Sequence, residues 1–129
     1  MELDHLILPV NDRDESVQFF TDVLDFRCEG ESGPFTVVRV SPGLTLQLAP
    51  WGTTGGQHLA FSMSRAEFDA TFSRIRAAEI PFGDSFHDVG NMRGPGHEDG
   101  ARGPAPSLYV FDPNQHLIEI RHYDDAWVR

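Results

Sequence analysis

The feature that most limits how this chain can fold is that one pattern of elements occurs twice along it. His5-Leu6 aligns with His58-Leu59 at an offset of 53, and Leu46-Gln47-Leu48 aligns with Ile118-Glu119-Ile120 at an offset of 72. The first copy opens with a short apolar strand, Leu3 to Val10. Asn11 and Asp12 then offer helix caps, and Asp14 and Glu15 sit where a helix dipole favours acids. Val17, Phe20 and Leu24, flanked by Phe19 and Val23, form an amphipathic helical stripe. Three strands follow, around 26–29, 35–40 and 44–49, with turns at Gly30, Gly33, Pro42 and Gly43. The second copy repeats this with a strand over 57–63, a Ser64…Glu67 capping box, and a stripe of Phe68, Phe72 and Ile75. Strands at 80–82, 107–112 and 116–123 close it, the last two joined by the turn Asp112 to Gln115. The expected fold class is α+β, two βαβββ modules spanning about 1–50 and 56–125 with a linker at 51–55, in a single domain of 129 residues.

The net charge of −10 argues against nucleic acid and anionic membrane as partners, since both select basic patches. Cys28 is the one cysteine, so no intramolecular disulfide forms, and it reads as a small buried hydrophobe. The first residues enter a strand pattern with no basic n-region or apolar h-region. No apolar run approaches the roughly 20 residues that span a bilayer. A soluble cytoplasmic protein is expected.

Side chains alternate across a strand, so each strand carries two rows. Leu6 and Leu8, Leu44, Leu46 and Leu48, Leu59, Phe61 and Met63, and Ile118 and Ile120 make the apolar rows. The opposite rows then hold His5, Gln47, His58 and Glu119, and Tyr109 joins them because Leu108 and Val110 are its apolar neighbours. Two imidazoles and a carboxylate on one face suit a divalent first-row metal with positions left open for substrate. A metal also offsets the cost of a half-buried carboxylate. The plainer alternative is that each is a satisfied polar residue of its strand, and spacing alone does not choose between the two. The equivalent positions in the repeat favour the metal.

Three segments resemble the vicinal oxygen chelate superfamily, which includes glyoxalase I, extradiol dioxygenases, fosfomycin- and bleomycin-resistance proteins and methylmalonyl-CoA epimerase. These are Leu3–Val10 with Phe19–Phe26, His58–Phe61, and above all Ser107-Leu-Tyr-Val-Phe-Asp-Pro-Asn-Gln-His-Leu-Ile-Glu-Ile120. The resemblance implies curved mixed sheets around a metal cavity, often paired across a homodimer. It implies His5, His58 and Glu119 as ligands of a divalent ion (Fe, Ni, Zn or Mn). It places Gln47 where glyoxalase I has a carboxylate ligand, and Tyr109 where extradiol and fosfomycin-resistance proteins carry a substrate-facing tyrosine. Gln47, Arg39 and Arg121 are the candidate substrate-binding residues, and Tyr109 and His97 the candidate catalytic ones.

The departures shape the functional expectation. Gln47 weakens a four-ligand glyoxalase I site, and no histidine lies between His5 and His58 to serve as the acid–base histidine of extradiol enzymes. Fosfomycin-resistance proteins carry a further basic C-terminal segment, whereas ten residues follow Glu119 here. Bleomycin-resistance proteins usually lack the triad. Gly94-Pro-Gly-His97 resembles an extradiol loop whose histidine acts on substrate, within a stretch, 88–106, expected as an exposed loop. His87, His116 and His122 take structural readings. The leading expectation is a metal-dependent enzyme acting on a small oxygen-chelating substrate, closest to an extradiol-type dioxygenase. The alternatives are a glyoxalase-type lyase or isomerase, and a non-catalytic protein that sequesters a small molecule or antibiotic.

Overall fold

The computed structural model describes residues 1–124; position 125, where the second module was expected to end, lies outside them. The chain divides into two compact units, residues 1–55 and residues 56 onward. In unit 1 the order is β1 (His5–Pro9), α1 (Arg13–Gln18) continued by a π-helical turn (Phe19–Val23), β2 (Arg27–Ser32), β3 (Phe35–Ser41) and β4 (Leu44–Ala49). Asp12 caps α1, its Oδ1 accepting from the Glu15 N–H at 2.9 Å. The strands lie in the order β1-β4-β3-β2, with β1 parallel to β4 and the other pairs antiparallel. The alternation read from the sequence holds: Leu8, Leu46 and Leu48 are buried, whereas His5 and Ile7 are exposed.

Unit 2 repeats this plan with β5 (His58–Ser62), α2 (Arg65–Ala77), β6 (Phe82–Gly83), β8 (Gly103–Phe111) and β9 (Leu117–Arg121) in the order β5-β9-β8-β6. Ser64 and Glu67 close the capping box in both directions, at 3.1 and 3.3 Å. Asp112 builds the turn before β9. Its Oδ1 accepts from the N–H groups of Asn114 and His116 at 2.9 and 2.8 Å, and its Oδ2 from Asn114 Nδ2 at 2.9 Å. Those bonds fix the β8–β9 register, in which Tyr109 stands beside Glu119.

Two expectations are corrected. The stretch 88–106 is not simply a loop: β7 (Gly96–Gly100) pairs antiparallel with a β8 that begins at Gly103. Pro104 and Pro106 argue against a strand in the sequence, but that part of β8 runs past its last pairing with β9, at Ser107–Arg121, where missing donors matter less. Cys28 is exposed rather than buried, because β2 is an edge strand exposed along its whole length. Among the described residues no helix is long and apolar enough to cross a membrane.

Candidate functional site

The two registers match position for position. In unit 1, Gln47 on β4 lies between Ile7 on β1 and Val37 on β3. In unit 2, Glu119 on β9 lies between Ala60 on β5 and Tyr109 on β8. His5 and His58 each stand two residues before the flanking strand's central residue, on the same face. The offsets of 53 and 72 seen in the sequence are therefore a true structural repeat.

Glu119 is the centre of unit 2. It is buried, with 4% exposure, and is held from two sides. His58 Nε2 lies 3.0 Å from Oε1, and Arg121 Nη1 donates to Oε2 at 2.5 Å. Desolvation of a carboxylate is costly, and two cationic or proton-bearing partners offset it. The Tyr109 ring sits 6.1 Å from the His58 ring. Its phenol is pushed up to about 12, by burial first and then by the Glu119 carboxylate. At neutral pH it is therefore a hydroxyl donor and not a base.

In unit 1, His5 is half exposed, and its Nδ1 lies 2.7 Å from Asp4 Oδ2. A carboxylate on one ring nitrogen fixes the tautomer and leaves Nε2 as the free donor, the arrangement usual for a metal-ligating histidine. Asp4 was missed in the sequence, although an acid directly before a strand histidine is a legible signal. Across the same sheet a row runs His5, Thr45, Arg39, Arg27. Arg39 is already engaged: its Nε and Nη2 form a fork on Glu29 at 3.1 and 3.0 Å. Arg27 donates to the same carboxylate at 2.8 Å. An open cleft of about 530 Å³ is lined by Asp25, Arg27, Glu29, Arg39, Ser41 and Pro42.

The remaining candidates separate. Arg121 lies in the Glu119 row but is 3% exposed and turned into its own unit. His97 is exposed on β7 opposite Pro106, in the strand row of Leu108 and Val110. That is the row opposite Tyr109, so the register does not bring His97 to Glu119; its neighbour Glu98 has the matching parity. Within neither unit do three or more described His, Cys, Asp or Glu side chains form a group able to hold a metal. What the donor set does offer is His58 with Glu119 on unit 2, and an oriented His5 on unit 1. Imidazole and carboxylate are donors that first-row divalent ions take, and His58 with Glu119 offers one of each within unit 2.

The comparisons with known proteins bear on the family and the fold. A glyoxalase domain-containing protein, RDO1 of Mycosarcoma maydis, is 31% identical over 96% of this chain and 69% of its own length. The solved structure of the oxidase ChaP-H1 is 32% identical, with a TM-score of 0.76 and 95% of each chain covered. The fosfomycin resistance protein FosX from Listeria monocytogenes, complexed with Mn(II) and a dihydroxypropylphosphonic acid, shares the fold at 20% identity and a TM-score of 0.68. That match covers 93% of this chain and 88% of FosX. The profile of the Glyoxalase/Bleomycin resistance protein/Dioxygenase superfamily matches residues 2–120, and the chain belongs to that superfamily.

Proposed function

We propose that this protein is a metal-dependent enzyme of the oxygen-using branch of its superfamily, acting on a small substrate that carries two neighbouring oxygens. The observation that carries the reading is the buried Glu119 carboxylate held between His58 and Arg121, with the protonated Tyr109 beside it. The 32% identity to an oxidase over 95% of both chains supports oxidation as the reaction class. His5, His58 and Glu119 are the proposed ligands, and Fe is favoured over Mn, Ni or Zn. When bound, the divalent ion supplies a Lewis acid for two chelated substrate oxygens.

The chain's own residues then have distinct tasks. Tyr109 donates its hydroxyl to a substrate oxygen, a contact that strengthens as negative charge grows there. Gln47, on the face of His5, orients substrate through its amide. Asp4 keeps the His5 ring in one tautomer. The working unit is proposed to be a homodimer. A cytoplasmic location is supported by the single exposed thiol, Cys28, which suits a reducing compartment.

A second reading rests on the equivalence of Gln47 and Glu119. With Gln47 as a fourth ligand the site would suit a lyase or isomerase of the glyoxalase I kind using Ni or Zn. One experiment separates the readings. The metal content of the purified protein is measured, and the chain is then reloaded with Fe(II), Ni(II) or Zn(II). Oxygen uptake is followed with catechols, and isomerisation with hemithioacetals. Oxygen uptake that requires Fe(II) supports the first reading. A protein that retains none of these ions after reloading overturns both.

A further inference from the structure

Arg121 is a buried cation whose contacts point away from solvent. Its Nη1 donates to Glu119 Oε2 at 2.5 Å and to the Asp99 carbonyl at 3.3 Å. Its Nη2 donates to the carbonyls of Glu98 and Gly103 at 3.1 and 3.0 Å. Those three carbonyls belong to the β7–β8 hairpin, which closes where Gly100 pairs with Gly103. One planar guanidinium thus holds the carboxylate through Nη1 and the hairpin turn through both Nη1 and Nη2. A lysine cannot reproduce that fork.

The hairpin is built around this group. A Cβ at Gly100 would collide with Cζ and Nη2 of Arg121 and with the Tyr123 hydroxyl, so the backbone approaches as closely as glycine allows. The same hydroxyl accepts from the Arg102 N–H at 3.3 Å, while the Arg102 guanidinium lies 4.1 Å over the Tyr123 ring. Gly100, Arg102 and Gly103 are therefore fixed against the end of the strand that bears Glu119. Because Arg121 takes Oε2, the oxygen left without a fixed cation is Oε1, which faces His58.

We propose that Arg121 is a positioning residue that ties the orientation of the Glu119 carboxylate to closure of the β7–β8 hairpin, rather than a substrate contact. The proposal deepens the functional reading above and rests on Glu119 being a metal ligand. In physical terms the hairpin and the carboxylate share one set of buried hydrogen bonds. Opening the hairpin strips the guanidinium of three acceptors, and releasing the carboxylate leaves the charge unpaired.

The test compares the parent protein with Arg121→Lys, Gly100→Ala and Glu119→Gln. Hydrogen exchange of the 97–103 amides is measured without metal, and Mn(II) affinity by calorimetry. Arg121→Lys and Gly100→Ala leave every proposed donor in place. Each is expected to speed hairpin exchange at least tenfold and to weaken Mn(II) binding about 10–100-fold, the range usual for groups that orient a ligand. Faster exchange with Mn(II) affinity within twofold of the parent reduces Arg121 to a structural staple and overturns the proposal. So does unchanged exchange. Should Arg121→Lys fail to fold, Gly100→Ala decides alone by the same criteria. If Glu119→Gln binds Mn(II) as tightly as the parent, the ligand assignment fails by itself. Hairpin exchange in that variant then decides the coupling: a tenfold rise supports it and no rise overturns it.

Discussion

Gln47 and Glu119 occupy one and the same position in two copies of a single strand register, the first beside Val37 and the second beside Tyr109. The repeat thus sets an amide and an apolar neighbour in unit 1 against a carboxylate and a phenol in unit 2. The charged member of the pair and the phenol beside it both lie in the second copy.

For the ligand set, Glu119→Gln, His5→Ala and His58→Ala are each expected to lose bound metal. The loss should exceed the roughly 10–100-fold typical of changes beyond the ligands. Elemental analysis after dialysis reads it directly; unchanged content in all three removes the site. Glu119→Gln is further expected to cost about 3 kcal/mol in the metal-free protein, because Arg121 keeps its buried charge without a charged partner.

Tyr109→Phe keeps the ring and removes the hydroxyl. With a turnover assay, kcat is expected to fall about a hundredfold, as when one preorganised donor is lost. Metal content and melting temperature should stay near those of the parent. Full activity in this variant would leave Tyr109 with a packing role only.

Glu29 provides the pH prediction. Hydrogen bonds from Arg39 first and Arg27 second hold its carboxyl down at about 2, against an ordinary value of 4.5. Its folded value is depressed, so its contribution to stability is complete above 4.5 and is lost as pH falls through about 2. Carbon-detected NMR titration should place the Glu29 midpoint near 2, and Arg39→Ala should move it upward. High salt should shrink the shift, since the group is solvent-facing. A midpoint near 4.5 in the parent would contradict the fork.

Asp112 anchors the turn that sets Tyr109 against Glu119. Asp112→Ala removes three hydrogen bonds to a buried carboxylate and is expected to cost about 3 kcal/mol in urea denaturation. Asp112→Asn should cost less, since one acceptor survives. A change below 1 kcal/mol for the alanine variant would mean that other contacts set the register.

Sedimentation provides the assembly prediction. A homodimer of about 29 kDa, twice the 14.4 kDa chain, is expected. A species of single-chain mass across a hundredfold range of concentration would exclude it.

What could be read from the sequence was whatever alternation and repetition encode. The apolar rows of Leu46 and Leu48 and of Ile118 and Ile120 put Gln47 and Glu119 on the opposite face, and the registers agree. The Ser64–Glu67 box and the Asp112 turn were legible because a side chain meets backbone a few residues away. Contacts made through backbone carbonyls leave no such trace. Nothing in the residue types of Glu98, Asp99 and Gly103 announces that their carbonyls hold Arg121. The β7 strand was hidden by the prolines of its partner. Cys28 was misjudged because alternation tells which face a residue takes and not whether anything covers an edge strand.

The exposed edge at β2 has a practical consequence. An outermost strand leaves a row of backbone donors and acceptors open to any other extended chain. Here that strand carries Arg27, Glu29 and Glu31, with Arg13 paired to Glu31 and Arg39 to Glu29. A neighbouring strand laid along it would have to desolvate these ion pairs, which makes the edge a poor template for fibrils. Apolar replacements on β2, tempting as stabilising changes, would remove that guard, and the harm would show as precipitation during expression before any change in the folded site.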